Sequence, residues 1–459
     1  MTRLLGRLRG TLRREAHDLL HGGPPTADLL RPVGPDMLSD ADVLQVLDLC
    51  MLVGEVLLSS GEPVGEASGL MTKLAAAGGL ATVDIDITFT SITVCAHRGG
   101  AVAPVSSTRL VRYRTTDLTR LAHVTRIVDR VVSGRMTIAT ASRALTEAIA
   151  APHPYPRWVA TVGWAGLAAA VTALLGGTLL IGVAAFVVTA CIDRLGRFLG
   201  RWNVLPFFLQ LIGGLMATIA TLGLDAAGVL APGTQPSIVV AAGITALLSG
   251  LSVVGTVQDA ITGFPVTAAG RAVEIAVLSA GLLAGVILGL KLGLLFDIDL
   301  DPAGDVGATV LSFGISAGSA AAAAAMFALA SYAPVRSLIS AALAGGIGWS
   351  VYGALARFAE FGPVLATGVA AVVVGIATGI ARRGSGVHSH VIILSGIVPL
   401  LPGLTAYRGF YQLAQQEVVY GLVSTVLALA IGLALAAGVA LGDFVARPGA
   451  LGGGAPSTA

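Results

Sequence analysis

The chain has 459 residues, of which 55% are hydrophobic and only 12% charged, and its mean hydropathy is +0.85. Composition this apolar excludes a wholly soluble protein and points to helices in lipid. A formal net charge of +2 gives no ground for a nucleic-acid partner.

The charges crowd into residues 1–157, which divides the chain into a polar N-terminal region and a membrane domain. Arg3, Arg7, Arg9, Arg13 and Arg14 open the chain with no apolar signal core after them, so no cleaved leader is expected. Residues 1–20 read as a basic amphipathic helix on anionic lipid or as a solvated leader, and His21–Pro35 as linker. Asp40–Leu58 has helical periodicity through Val43, Leu47, Leu52 and Val56, and Ser59-Ser60-Gly61 ends it. Pro63 opens a second helix to Ala77, stopped by Gly78-Gly79. Residues 82–95 read as one strand, His97-Arg98-Gly99-Gly100 as a hairpin turn and 101–113 as its partner strand. Two helices, 117–132 and 137–150, complete an α/β domain.

Asp84 and Asp86 sit two apart, hence on one face of a strand, and alternation on a solvated face accounts for them. His97 and His123 have no partner legible in sequence. Cys50, Cys95 and Cys191 are odd in number and scattered, which suits a reducing compartment and neither a disulfide framework nor a metal site. No phosphate-binding loop is present, and no cofactor is implied.

From Trp158 onward come apolar stretches of bilayer-spanning length: 158–175, 177–192, 203–222, 236–255, 271–292, 307–330, 337–356, 362–381, 387–401 and 418–442. With the N-terminus in the cytoplasm, Arg157, Arg194, Arg197, Arg201, Arg271, Arg336, Arg382, Arg383 and Arg447 fall inside. Only Lys291, Arg357 and Arg408 fall outside, as the positive-inside rule requires. An even number of spans returns the C-terminus to the cytoplasm. The organisation expected is therefore 1–36 basic leader and linker, 37–153 α/β domain, 157–292 and 307–442 two membrane repeats, and 443–459 a disordered tail.

The repeat rests on one offset. Leu247-Leu248-Ser249-Gly250-Leu251-Ser252 resembles Leu400-Leu401-Pro402-Gly403-Leu404-Thr405, and 400 − 247 is 153. The same offset takes Gly281, Gly285 and Gly289 to Ala434, Gly438 and Gly442. Gly281, Gly285, Gly289 and Gly293 line one helix face, which invites close packing, and the fifth and tenth spans are expected to pack on each other through these stripes. Five spans per repeat is an odd number, so the second copy runs upside down, a plan common among secondary transporters. Gly314-Ile315-Ser316-Ala317-Gly318 spells a hydrolase elbow but lies inside an apolar span, and reads as a packing face instead.

Helices broken at Ser249-Gly250 and at Pro399…Pro402-Gly403 free backbone dipoles able to hold a zwitterion, so Ser249, Gly250, Ser252, Pro399, Pro402, Gly403, Thr405 and Tyr407 are the expected substrate path; plain helix ends before loops explain the same motifs equally well. Carboxylates near the spans are few. Glu274 is the first candidate proton carrier, although a surface pair with Arg271 explains it equally, and Asp259 at the cytoplasmic mouth is the second. His388 and His390 read as an ordinary polar loop. Asn203 and Gln210 are uncharged groups able to touch a polar substrate or to join helices.

The order of parts resembles the threonine/serine exporter family of bacteria. The similar residues are Gly54-Glu55-Val56-Leu57-Leu58-Ser59-Ser60-Gly61, then Asp259, Gly263, Gly270-Arg271 and Glu274, then Pro399-Leu400-Leu401-Pro402-Gly403-Leu404-Thr405-Ala406-Tyr407. Ser249 departs from the proline of that pattern. The resemblance covers about residues 40–442 and implies export of L-threonine and L-serine by proton antiport. It further implies a cytoplasmic N-terminal domain on ten membrane helices in the bacterial inner (cell) membrane. A homo-oligomer stays open. The competing readings are a membrane-tethered enzyme with a hydrolytic N-terminal domain, and an uncoupled channel.

Overall fold

The computed structural model describes residues 39–80, 82–97, 103–111, 117–230, 235–247, 250–295, 310–385 and 389–446. The basic leader, the linker after it, the tail from 447, Ser249 and His388 lie outside the described residues.

The α/β domain is built round α1 (Asp40–Ser59), whose apolar residues recur on every side, so the helix is enclosed rather than laid on a surface. Ser39 caps it by accepting from the Asp42 N–H at 3.2 Å. Around it pack α2 (Val64–Ala77), α3 (Leu118–Val132), α4 (Ile138–Ala150) and a three-stranded antiparallel sheet in the order β1-β2-β3. Burial pushes the Cys50 thiol up to about 12, so this cysteine is a small apolar filler at neutral pH.

The sheet corrects one expectation. Residues 82–95 are not one strand: β1 (Val83–Thr88) and β2 (Ser91–Ala96) form a tight hairpin, with Thr88 opposite Ser91, and β3 (Val105–Leu110) pairs with β2. The turn falls at Phe89-Thr90, with Phe89 at φ 50. No turn-forming glycine or asparagine marks it. Tertiary contact supplies what local chemistry lacks, because the Phe89 N–H donates to Thr267 Oγ1 at 3.0 Å in the membrane domain. His97, unpartnered in the sequence reading, sits 2.7 Å from Asp84 on the neighbouring strand.

The remaining helices are α5 (Arg157–Leu174), α6 (Leu179–Gly200), α7 (Pro206–Ala226), α8 (Ser237–Leu247), α9 (Gly250–Ile261) and α10 (Pro265–Leu294). After them come α11 (Val310–Ala330), α12 (Val335–Phe358), α13 (Pro363–Ser385), α14 (Ser389–Gly396), a 3-10 turn Val398–Leu400, α15 (Gly403–Ala414) and α16 (Val418–Ala446). Among the described residues eight helices are long and apolar enough to cross a membrane, or up to 10 spans if each of two bent pairs counts as one. Their surfaces are inside-out relative to a soluble core. Leu179, Val183, Val187, Ile339, Leu343 and Val419 are exposed, while small residues such as Ala185, Thr218, Ala341 and Ala371 are buried. Lipid tails solvate the large side chains, and close backbone packing uses the small ones.

α10 and α16 begin at 265 and 418, 153 residues apart. The first helices of the two halves pack on each other, with Gly163 of α5 so close to α11 that a Cβ there would lie 2.6 Å from the Ala330 nitrogen.

The glycine stripes do pack, but not on each other. α10 lies along α7, where Cβ atoms at Gly281 and Gly289 would come within 2.6 Å of the Phe207 carbonyl oxygen and of Thr218 Cβ. Gly285 faces the Leu211 carbonyl still more closely. α16 lies along α13, with Gly442 against Gly375 Cα and Gly438 against the Gly368 carbonyl. Each stripe therefore serves its own half, α10 on α7 and α16 on α13. Gly314 and Gly318 differ from a second expectation: among the described residues nothing lies within 4 Å of a Cβ at either, so no packing contact is seen on them.

Gly285→Leu should lower stability by about 1–3 kcal/mol, the usual cost of overpacking. Gly223→Leu on α7, where nothing lies within 4 Å, should cost little. Thermal unfolding of the two purified variants in the same detergent checks this. Equal melting temperatures would show that the α7–α10 contact does not hold the fold.

Candidate functional site

Two helix breaks lie at equivalent places. α8, described to Leu247, and Ser252–Ile261 of α9 are bent by 47° to each other; the 3-10 turn stops at Leu400 and the chain resumes as α15, bent by 46°. Pro399 and Pro402 explain the second break, since neither supplies the N–H an α-helix needs. A break in lipid exposes carbonyls that must find donors. Gln210 answers this in the first half, donating from Nε2 to the Leu247 carbonyl at 3.1 Å. It thus joins helices at the break itself, beside a cavity of about 330 Å³ lined also by Thr189, Asp193 and Arg197.

The breaks face each other across the two halves. Gly403, the first residue of α15, meets the Thr245 hydroxyl near the end of α8 so closely that a Cβ there would strike it. Tyr407, one turn further, is fully buried in a cluster with Val240, Ala241 and Ile244 of α8. Thr405 is half-buried. Gly432 of α16 packs on Val253 of α9 in turn. Among the expected path residues, Gly403 and Tyr407 are brought against α8, Pro399 packs under Gly345 of α12, and Ser252 lies further along α9.

That further end is covered by the α/β domain. Asp259 is not open to solvent at a mouth but fully buried, with Oδ2 2.7 Å from Arg271 Nη1, and Arg271 is equally enclosed. The turn through Gly263, at φ 94, folds α10 back on α9 and brings this pair together. Asp259 Oδ1 accepts the Val64 N–H at 2.7 Å, so the carboxylate caps the N-terminus of α2 from across the domain boundary. Arg271 Nη2 donates to the Glu62 carbonyl at 3.2 Å, and Thr267 Oγ1 donates to the Ile87 carbonyl at 3.2 Å. The segment Ser59-Ser60-Gly61, which ends the N-terminal motif, leads directly into this contact.

The second half is held as well. The Leu118 N–H donates to the Ser331 carbonyl at 2.9 Å, Thr119 Oγ1 to the Tyr332 carbonyl, and Tyr155 Oη to the Ala333 carbonyl at 3.0 Å. Burial raises the Tyr155 pKa, which keeps its hydroxyl a donor. Buried Asp117 caps α3 through the Thr119 and Arg120 N–H groups and accepts His153 Nδ1 at 2.8 Å; the His153 ring stacks on Tyr332 at 4.2 Å. The α/β domain thus bridges both halves, and its core cluster runs on into Ala328, Ala333 and Ala341.

Sequence reasoning missed Asp117, His153 and Tyr155, which stand near no recognisable motif, and it did not connect Arg271 with Asp259. Glu274 is half-buried on α10 and lines neither the 330 Å³ cavity nor the junction. No group of three or more His, Cys, Asp or Glu residues suited to a metal ion occurs among the described residues.

Spanning helices broken at paired positions, in two halves bridged by an α/β domain, define a multi-pass membrane protein of the transporter class. Two family models match in succession: "Putative threonine/serine exporter" over residues 48–293, and "Threonine/Serine exporter, ThrE" over residues 317–445. A "Probable threonine/serine exporter" of Mycobacterium tuberculosis is 37% identical over 419 residues, covering 90% of this chain and 78% of that protein. A "Threonine/serine exporter" of Corynebacterium glutamicum is 33% identical over 442 residues, covering 94% of this chain and 88% of that protein. The chain belongs to the threonine/serine exporter family. No solved structure matches it.

Proposed function

We propose that the chain exports small hydroxylated amino acids, L-threonine and L-serine, from the cytoplasm of a bacterial cell by proton antiport. Membership of an exporter family supports transport over a hydrolytic N-terminal domain. The observation that carries the mechanism is the meeting of the two breaks, where Gly403 of one half touches Thr245 of the other. In this reading each bent pair is one span, the halves hold five spans each, and an odd number makes them antiparallel copies about an axis in the membrane plane. Both termini and the α/β domain are cytoplasmic.

The substrate path runs between the halves past residues 249–252 and 399–405. The C-terminal end of α8 presents carbonyl dipoles to the ammonium group, and the N-terminal end of α15 presents N–H dipoles to the carboxylate. Rocking of one half against the other opens the path to alternate sides. Counterflow of labelled L-threonine in proteoliposomes, with and without a pH gradient, tests the reading. Absence of counterflow would overturn it, and counterflow indifferent to the gradient would remove the proton.

Glu274 is proposed as the proton carrier and Asp259 as the second candidate. A proton crossing about 100 mV supplies roughly 2.3 kcal/mol, enough for about fiftyfold accumulation. Glu274→Gln retains hydrogen bonding but cannot titrate, so it should abolish gradient-driven efflux while threonine exchange continues. If the variant still concentrates threonine against its gradient, the carrier is another group.

A further inference from the structure

A cavity of about 70 Å³ lies where three parts of the chain converge. Ser60, Gly61 and Pro63 come from the α/β domain, Ser252, Gly255, Gln258 and Arg271 from the first half, and Ser331 from the second. That is room for about five waters, the scale of a small amino acid. Its walls are mostly apolar, with Leu118, Phe327 and Leu394 among them, so the few polar groups that reach it stand out. The Ser331 hydroxyl is fully buried and has no hydrogen-bond partner. An orphaned hydroxyl of this kind calls for a ligand group. A cation and a hydrogen-bond acceptor are also in place. A Cβ on Gly255 would sit 3.4 Å from Arg271 Nη1 and 3.7 Å from the Gly61 carbonyl oxygen, so a cation and an acceptor converge over a residue of α9 that carries no side chain.

We infer that this cavity is a binding site for a small hydroxylated α-amino acid, a waiting site beneath the α/β domain, which forms its lid. The inference rests on the transport reading above, and the cavity shares Ser252 with the path proposed there. Arg271 takes the carboxylate, the Gly61 carbonyl takes the ammonium group, and Ser331 takes the side-chain hydroxyl with Ser60, Ser252 or Gln258 beside it. Asp259 already neutralises Arg271, and a zwitterion brings no net charge, so binding leaves the buried charge balance unchanged. A larger apolar side chain has no space and would leave Ser331 unsatisfied.

Binding of labelled L-threonine and L-valine to the purified full chain in detergent tests this. Valine has the shape of threonine without its hydroxyl. Ser331→Ala should weaken threonine by about three- to tenfold, the worth of one neutral hydrogen bond, and leave valine unchanged. Gly255→Ala adds a methyl group that makes only ordinary contacts and favours the helix, yet it narrows the space between cation and carbonyl. It should weaken both ligands without lowering the melting temperature. Counterflow intact in the parent with unchanged threonine affinity in both variants would overturn the site and leave transport standing. A parent that neither binds nor exchanges threonine would overturn the transport reading and this one with it.

Discussion

Gly403→Val should reduce threonine export to background while the protein remains folded. Gly403 opens α15 at the point where the second break meets the first. The Thr245 hydroxyl it faces is tied back to the Ala241 carbonyl at 2.8 Å, so it cannot simply swing aside without losing that bond. Two branches on Cβ at 403 would force α15 away from the end of α8. The close contacts that hold each half together, α7 on α10 and α13 on α16, do not pass through Gly403 and should remain. Export should therefore fail through the geometry of the path and not through unfolding. Gly403→Ala combined with Thr245→Ala removes the hydroxyl and Cγ2 that obstruct the added methyl group and should recover part of the activity. Efflux from loaded proteoliposomes, with size-exclusion profiles as the folding control, measures both. Parental efflux in Gly403→Val would place the path elsewhere.

The spans were legible because bilayer thickness imposes a length that needs no partner to be recognised. The paired breaks were legible for a related reason: proline and glycine act locally, and Leu247…Ser252 and Leu400…Thr405 carry the same pattern. The glycine stripes showed that α10 and α16 approach something closely, but small residues name no partner, and each chose its neighbour within its own half. The hairpin at Phe89 was hidden because its turn is stabilised by Thr267, far along the chain. The junction was least legible. Asp259 and Arg271 belong to different helices, and only the Gly263 turn between two apolar segments hints that opposite charges on its two sides would meet. A carboxylate and a guanidinium bordering a glycine turn between spans is the signal that could have found them.

The second large effect is expected from that pair. Arg271→Ala should destabilise the protein by about 3–5 kcal/mol, the cost of stranding a buried charge. The Asp259 carboxylate would stay enclosed at 0% exposure, having lost the guanidinium 2.7 Å away. The Glu62 carbonyl would lose its donor as well, which loosens the segment leading into α2. The damage should therefore concentrate at the boundary between the α/β domain and the first half. Limited proteolysis should cut near 60–64 in the variant and not in the parent, and its melting temperature should fall. Asp259→Asn with Arg271→Gln removes both charges and keeps groups able to hydrogen-bond, so the pair should cost less than Arg271→Ala alone. Such a sub-additive result identifies mutual dependence of the two side chains, which the single variant cannot. If the double variant is instead as unstable as the two single changes combined, the ion pair does not hold the domains together. The contacts of Leu118, Thr119 and Tyr155 with the second half would then carry the junction.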